Sequence, residues 1–326
     1  MADEIAVVGA GVAGLACAQA LKAAGQGVRV FEKSRGLGGR AARRLARMAD
    51  GTELAFDHGA PGFEVASAPF AETVGGWVRQ GWARPWPEGG SPRLHVGVPG
   101  MSAIAKPMAA GLQAGSEIAL GLRVLRVAGG PGAWHLGVED GHSAGPFRAL
   151  VLAIPAPQAV TLLGPEAQVF PELAAVEMAP RWTVMLAFPE PLAPAPPRLE
   201  STGTPLALAI RNSAKPDRAP KPETWVLHSS QTWAAAHLEA EPETVGDALV
   251  AAFAAALGHE LPAPSVRLVH RWRFAEVVRP AGRPWLLASD RGIGLAGDWC
   301  AGPAAHGVDA AWMSGRGLAR RLLGEV

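Results

Sequence analysis

The sequence predicts the α/β class: one lobe built on a parallel sheet and gathered from separate stretches of chain, with a second, α+β lobe beside it. Three observations carry this. An apolar run, Ile5-Ala6-Val7-Val8, leads straight into Gly9-Ala10-Gly11-Val12-Ala13-Gly14. An acidic residue, Glu32, follows eighteen positions after the last of those glycines. Near the far end the chain returns to the same style with Gly294-Leu295-Ala296-Gly297-Asp298 before a closing helix. A length of 326 residues is also long for one compact core and suits two lobes.

The first element is a strand ending at Val8. Gly9 permits the tight turn off it, Gly11 lets the backbone approach a pyrophosphate, and Gly14 allows close packing of helix on strand. The helix that follows has Leu15, Ala18 and Leu21 at helical spacing, and its amino terminus presents free N–H groups and a positive dipole end to phosphate. Gly25 and Gly27 end it. Val28-Arg29-Val30-Phe31 reads as the second strand, and Glu32 at its end, beside Lys33, is placed to accept ribose hydroxyls. Gly38-Gly39-Arg40 then supplies a second crowded glycine turn with a cation. That second pair selects FAD over NAD and gives a Rossmann-type FAD-binding lobe. For Arg43, Arg44 and Arg47 the spacing allows a role near the pyrophosphate or a solvated helix face, the latter preferred for Arg47.

Further along, residues 58 to 94 are rich in Gly, Pro and Trp, with Trp77, Trp82 and Trp86 read as packing under a loop-rich lobe. Met101 to Leu112 reads as a helix. Ile118 to Val127 and Trp134 to Val138 read as antiparallel strands joined by Gly129-Gly130-Pro131-Gly132. Leu150 to Pro155 is a short, continuously apolar strand, as inside a parallel sheet. Residues 189 to 197 hold five prolines and mark an extended loop. Trp182 to Phe188, Leu206 to Ile210, Trp225 to Ser229 and Arg267 to Phe274 read as strands. Pro242 opens a helix that Gly258 ends. A last helix runs from about Val308 to Leu323. The division expected is an FAD-binding domain from 1–58, 95–155 and 284–326, and a substrate domain from 59–94 and 156–283.

Composition narrows the function. The formal net charge of +1 gives no electrostatic case for nucleic acid or an anionic membrane. No run of eighteen apolar residues is present, so no membrane span is expected. The first strand begins about four residues in, which leaves the cytoplasm as the expected compartment. Two cysteines form no disulfide framework, and no Cys/His spacing suggests a metal. The chain has 11 Trp and 9 Phe but no Tyr, so no phenol is available as acid, base or cage wall.

The chain also resembles the renalase-like branch of the amine-oxidase-type flavoproteins. The stretches that carry the resemblance are Phe56-Asp57-His58-Gly59-Ala60, Val96-Gly97-Val98-Pro99-Gly100-Met101, Leu152-Ala153-Ile154-Pro155-Ala156-Pro157, Arg211-Asn212-Ser213-Ala214-Lys215-Pro216, Trp225-Val226-Leu227-His228-Ser229, His270-Arg271-Trp272-Arg273-Phe274 and Gly297-Asp298-Trp299-Cys300. The resemblance implies a p-hydroxybenzoate-hydroxylase-like two-lobe fold with non-covalent FAD. The cofactor would be held by Gly9 to Gly14, Glu32, Lys33, Gly38, Gly39, Arg40, Gly59, Ala60, the backbone of Val124, Asp298, and the last helix at Val308. It further implies oxidation of dihydronicotinamide isomers of NAD(P)H by hydride transfer to FAD, with molecular oxygen as acceptor. Asn212, His228 and Trp272 would line the substrate chamber. On residue type alone, Asn212 also reads as a turn residue, and His228 and Trp272 as core. The chain departs from the family at Pro61-Gly62, where Gln-Tyr is usual, and at Ala310, where glycine is usual. Amine oxidation, and flavin binding without turnover, remain as other readings.

Overall fold

The computed structural model describes residues 3–192, 195–202, 205–301 and 307–325. Its central sheet has six strands: β1 (Glu4–Val8), β2 (Gly27–Glu32), β8 (Ile118–Leu120), β12 (Ala149–Leu152), β18 (Leu286–Ala288) and β19 (Ile293–Leu295), in the order β18-β19-β12-β1-β2-β8. Five run parallel, and β18 is an antiparallel edge. Side chains alternate across the sheet. Ile5, Val7, Val28, Val30 and Val151 meet α1 (Val12–Ala23) and the closing helix α7 (Gly307–Leu322). Ala6, Val8, Phe31, Leu150 and Leu152 meet a three-stranded meander of β9 (Val124–Gly130), β10 (Ala133–Val138) and β11 (Ser143–Phe147), together with α4 (Ala156–Leu163). Both faces are covered, which explains why these strands are continuously apolar.

The second lobe is a five-stranded antiparallel sheet, β14-β15-β16-β13-β17, made of β13 (Glu177–Phe188), β14 (Arg198–Glu200), β15 (Leu206–Arg211), β16 (Glu223–Ser229) and β17 (Val266–Arg279). On one face Trp182, Val184, Leu186, Trp225 and Leu227 form a core with Val245, Leu249 and Phe253 of α6 (Pro242–Leu257), flanked by α5 (Gln231–Ala236). On the other, Met185, Ala187 and Val226 pack on Leu54 and Phe56 of a small hairpin, β3 (Arg44–Arg47) and β4 (Glu53–Phe56). The remaining sheet, β5-β7-β6, is β5 (Phe63–Glu64), β6 (Ala83–Pro85) and β7 (Leu94–Gly97), alongside α2 (Ala68–Arg79). Trp77 and Trp86 are buried there among Phe63 and Phe70, the packing role expected of them.

Three expectations need correction. The stretch 118–127 is not one strand: Gly121, at φ +69°, breaks it, so β8 joins the central sheet and β9 the meander. The helix expected over 101–112 reduces to a 3-10 turn and the single turn α3 (Ala105–Met108), with Gly111 in the left-handed region at φ +86°. Arg44 and Arg47 lie on a strand rather than a helix face, although Arg47 is exposed and pairs with Glu53 at 2.6 Å.

The long helices α1 and α7 approach to backbone contact at Gly315. A Cβ on Gly315 would lie 2.0 Å from the Ala13 carbonyl oxygen. Because the obstacle is backbone, the helices would have to separate. Gly315→Ala is therefore expected to destabilise the fold by about 2 kcal/mol or more, as overpacking does. A denaturant midpoint equal to that of the unaltered protein would contradict this contact.

Candidate active site

The first glycine motif forms a cradle. Gly9 sits at φ +102°, and a Cβ there would lie 2.6 Å from the Ala153 oxygen. A Cβ on Gly14 would lie 1.9 Å from the Gly9 oxygen, so helix and strand touch. Gly11 faces Gly38 and Gly39 across a bridge with no side chain between the two segments. The Gly38 N–H donates to the Ala10 oxygen at 2.9 Å. No side chain caps α1, so the N–H groups of its first turn are left for a ligand. Glu32 is buried and accepts the N–H of Ala10 at 2.8 Å and of Ser34 at 2.7 Å. Each carboxylate oxygen keeps a lone pair for a hydroxyl. Lys33, next in sequence, is exposed. Ser34 and Glu32 also accept the N–H groups of Gly121 and Leu122, which brings Val124 to the same end of the sheet. An uncapped helix, an open glycine cleft and a buried acid at the second strand's end fit an adenine dinucleotide.

The distant Asp298 belongs to the same place. Arg40 donates to Asp298 Oδ1 at 2.6 Å and to the Ala275 oxygen of β17 at 3.1 Å. One guanidinium thus ties the second glycine motif, the carboxy-terminal motif and the second lobe's sheet. Gly59 and Ala60 lie on its backbone: the Ala60 N–H donates to the Arg40 oxygen at 2.8 Å, and a Cβ on Gly59 would lie 2.0 Å from that oxygen. Val308 is buried in the first turn of α7. Residues 302–306, between Asp298 and that helix, lie outside the described residues.

Beside this junction lies a row of polar groups on the second lobe's sheet. His228, Thr183 and His270 are register partners across β16, β13 and β17, so they share one face. His228 Nδ1 and Thr183 Oγ1 are 3.2 Å apart. Trp272 stands two residues along from His270, and its indole N–H donates to the His58 carbonyl at 3.1 Å. The His58 ring lies 5.0 Å from both the His270 and the Trp272 centroids. Two nitrogens in this cluster, His58 Nδ1 and His228 Nε2, are buried with no hydrogen-bond partner among the described residues. His270 and Trp272 are only half-buried, so the cluster has an open side.

Residues 76–323 match the flavin containing amine oxidoreductase family, and residues 7–78 match the NAD(P)-binding Rossmann-like domain. The chain belongs to the flavin containing amine oxidoreductase family. Among solved structures it is similar to a putative protoporphyrinogen oxidase from Exiguobacterium sp. 255-15, at 14% identity over 100% of both chains with a TM-score of 0.73. It is similar also to cyclohexylamine oxidase from Brevibacterium oxydans IH-35A, at 14% identity over 100% of this chain and 99% of that one, TM-score 0.69. A reduced UDP-galactopyranose mutase follows at 12% identity over 99% and 96%, TM-score 0.70. Identities this low speak to the fold. The family assignment makes the protein an FAD-dependent oxidoreductase.

Electrostatics in this flavoenzyme separate its buried groups into two kinds. Burial lowers the His58 ring, with help from His270 and Arg44, to about 4. Burial, then Arg181 and Lys215, holds His228 well below the ordinary imidazole range, and His270 is lowered by burial and Arg44. All three are neutral at pH 7. Asp57 is the opposite case. Burial would raise its carboxyl, but Lys215 and Arg218 beside it and the Met101 N–H override that and bring it down to about 2. Asp57 Oδ2 lies 2.9 Å from both Lys215 Nζ and Arg218 Nη2, and Oδ1 accepts the Met101 N–H at 2.8 Å.

The three expected chamber residues therefore divide. His228 and Trp272 belong to the polar cluster. Asn212 does not: it is 2% exposed, and its amide is committed to Asp57 N–H, the Ala55 oxygen and Thr224 Oγ1. It braces the end of β4, with its oxygen and its nitrogen both engaged within the protein. Sequence reasoning assigned no role to His58, His270, Thr183 or the Asp57–Lys215–Arg218 group, although most of them lie in the stretches that carry the resemblance. Cys300 is buried, burial holds its thiol up, and it points at the Leu295 oxygen.

Asp57→Asn would leave Lys215 and Arg218 facing a neutral amide in a buried site. The expected cost is about 3–5 kcal/mol, as for breaking a buried ion pair. Because the folded carboxyl is held below its unfolded value, its contribution is complete above about pH 4 and is lost as pH falls toward about 2. Urea titrations at a series of pH values should show this acid limb in the unaltered protein and its absence in the variant.

Proposed function

We propose that this flavoenzyme oxidises isomers of reduced nicotinamide dinucleotides, those reduced at ring position 2 or 6, to NAD(P)+. One substrate, one O2 and one proton give NAD(P)+ and H2O2. Bound FAD supplies the hydride acceptor and the route of electrons to oxygen. Gly9, Ala10, Gly11, Val12, Ala13 and Gly14 would hold its pyrophosphate without a covalent bond. Glu32 and Lys33 would meet the ribose, Val124 the adenine, and Gly38, Gly39, Arg40, Gly59, Ala60, Asp298 and Val308 the remainder.

The observation that supports the substrate is the pair of unpartnered buried nitrogens, His58 Nδ1 and His228 Nε2. A buried polar atom without a partner is costly, and a nicotinamide carboxamide offers both a donor and an acceptor to satisfy the two. Trp272 gives a flat wall for the ring. The ionisation state argues the same way. A dihydropyridine that loses hydride becomes a pyridinium and needs no base to remove a proton. Three imidazoles held neutral by burial are weak bases, suited to orienting a neutral ring. An amine reaches such a site as an ammonium ion that must first lose a proton, and the absence of tyrosine removes a phenol cage for it.

Anaerobic mixing of the holoenzyme with 6-dihydro-NAD tests this. The flavin absorbance should bleach within the mixing experiment, and His228→Leu should slow bleaching at least tenfold with FAD still bound. The rate should stay level from about pH 8 to about pH 7, because burial holds all three imidazoles below their ordinary range. Faster bleaching by simple amines, or none by the dihydronicotinamide, would overturn the proposal.

A further inference from the structure

A second concave site lies away from the histidine cluster and shares none of its residues. Helices α1, α2, α3 and α7 surround a groove of about 800 Å³, within the roughly 300–1,000 Å³ range of small-molecule sites. Its lining holds four cations, Arg79, Lys106, Arg316 and Arg320, against one carboxylate, Glu72. The whole chain carries a formal charge of only +1, so this wall concentrates positive charge. Arg320 reaches Glu325 at 3.3 Å. Arg79, Lys106 and Arg316 have no carboxylate within ion-pair distance among the described residues.

Two of these cations also stand over aromatic rings. Arg316 stands over the Trp312 ring, 5.1 Å from its centroid, and Lys106 stands over Trp82 at 5.4 Å. A guanidinium drawn to the face of an indole still has N–H groups to offer phosphate and a flat face of its own on which a base can stack. Small residues, Gly76 and Ala110, line the groove between these walls, and the Gln19 amide beside them is bound to the Pro107 oxygen at 2.9 Å. Three unpaired cations, two of them over aromatic rings, around a cavity of this size match an anion that carries a flat ring.

We propose that this groove binds a phosphate-bearing nucleotide, with Lys106, Arg79 and Arg316 on the phosphates and the base stacked on the Arg316 guanidinium. Neither the flavin cradle nor the histidine cluster contributes to it, so it stands independently of the substrate proposed above.

Calorimetric titration of the FAD-loaded protein with ADP, and separately with inorganic pyrophosphate, tests it. ADP should bind, and pyrophosphate should bind at least tenfold more weakly because it lacks the ring. Lys106→Ala with Arg316→Ala should weaken ADP at least tenfold, as expected for losing charge-assisted contacts, with the flavin spectrum unchanged. Arg79→Glu should weaken it as well, and being exposed it should leave folding intact. No heat with millimolar ADP, unchanged affinity in the double variant, or equal affinity for pyrophosphate would overturn the proposal. Bleaching by 6-dihydro-NAD in the same double variant should match the unaltered enzyme, so failure here is separable from failure of the proposed reaction.

Discussion

The arrangement of the whole site depends on one buried carboxylate. Asp57 directly follows β4, where the first lobe's chain meets the second lobe's sheet. It gathers Lys215, Arg218 and the Met101 N–H around a side chain that is 2% exposed. Arg218 extends the group to the Gly97 oxygen at 2.8 Å, and Asn212 closes it from behind through Asp57 N–H. The residues that follow Asp57 have no freedom left. His58 must lie against His270 and Trp272, and Gly59 and Ala60 must lie on the Arg40 backbone. Arg40 in turn holds Asp298. A latch of structural ions thus fixes the position of neutral rings and of the cofactor's cradle. A buried pair alone is weak evidence for stability. Here its consequence is registry: three segments distant in sequence meet at one point.

Charge is then divided by place. Cations and carboxylates are paired at the latch and at Arg40–Asp298, while the His228–Thr183–His270 face of the second sheet carries imidazoles that burial keeps neutral. The division suits a reaction in which charge appears on the substrate ring and leaves with it. Positive groups do stand near this face, Arg44 and Arg181 among them, and they oppose protonation of the histidines. The same positive field that depresses the imidazoles would repel an ammonium substrate.

The sequence made the first lobe legible because its constraints are local. Gly9, Gly11 and Gly14 act within one turn, Glu32 within the next strand, and continuous apolar runs report strands buried on both faces. A boundary failed where a single glycine decided it, as at Gly121. In the second lobe, partners are set by sheet register. His228 and His270 are 42 positions apart, and only the intervening β13 places them on one row through Thr183. No periodicity in either strand reveals that. Asn212 shows the reverse case: the resemblance implied a ligand contact, and only the geometry showed that its oxygen and its nitrogen are both engaged within the protein. Gly62 of the unusual Pro61-Gly62 pair sits close to the neighbouring β7, where a Cβ on it would lie 3.0 Å from the His95 oxygen.

The central claim is that the substrate ring lies between the flavin and the His228–Thr183–His270 row, with its carboxamide on the two unpartnered nitrogens. A crystal structure of the holoenzyme with NAD+ tests this directly. The account predicts a nicotinamide ring stacked on the isoalloxazine, its carboxamide within hydrogen-bond distance of His228 Nε2 and His58 Nδ1. A nicotinamide bound elsewhere, or one whose carboxamide leaves both nitrogens without a partner, would contradict it.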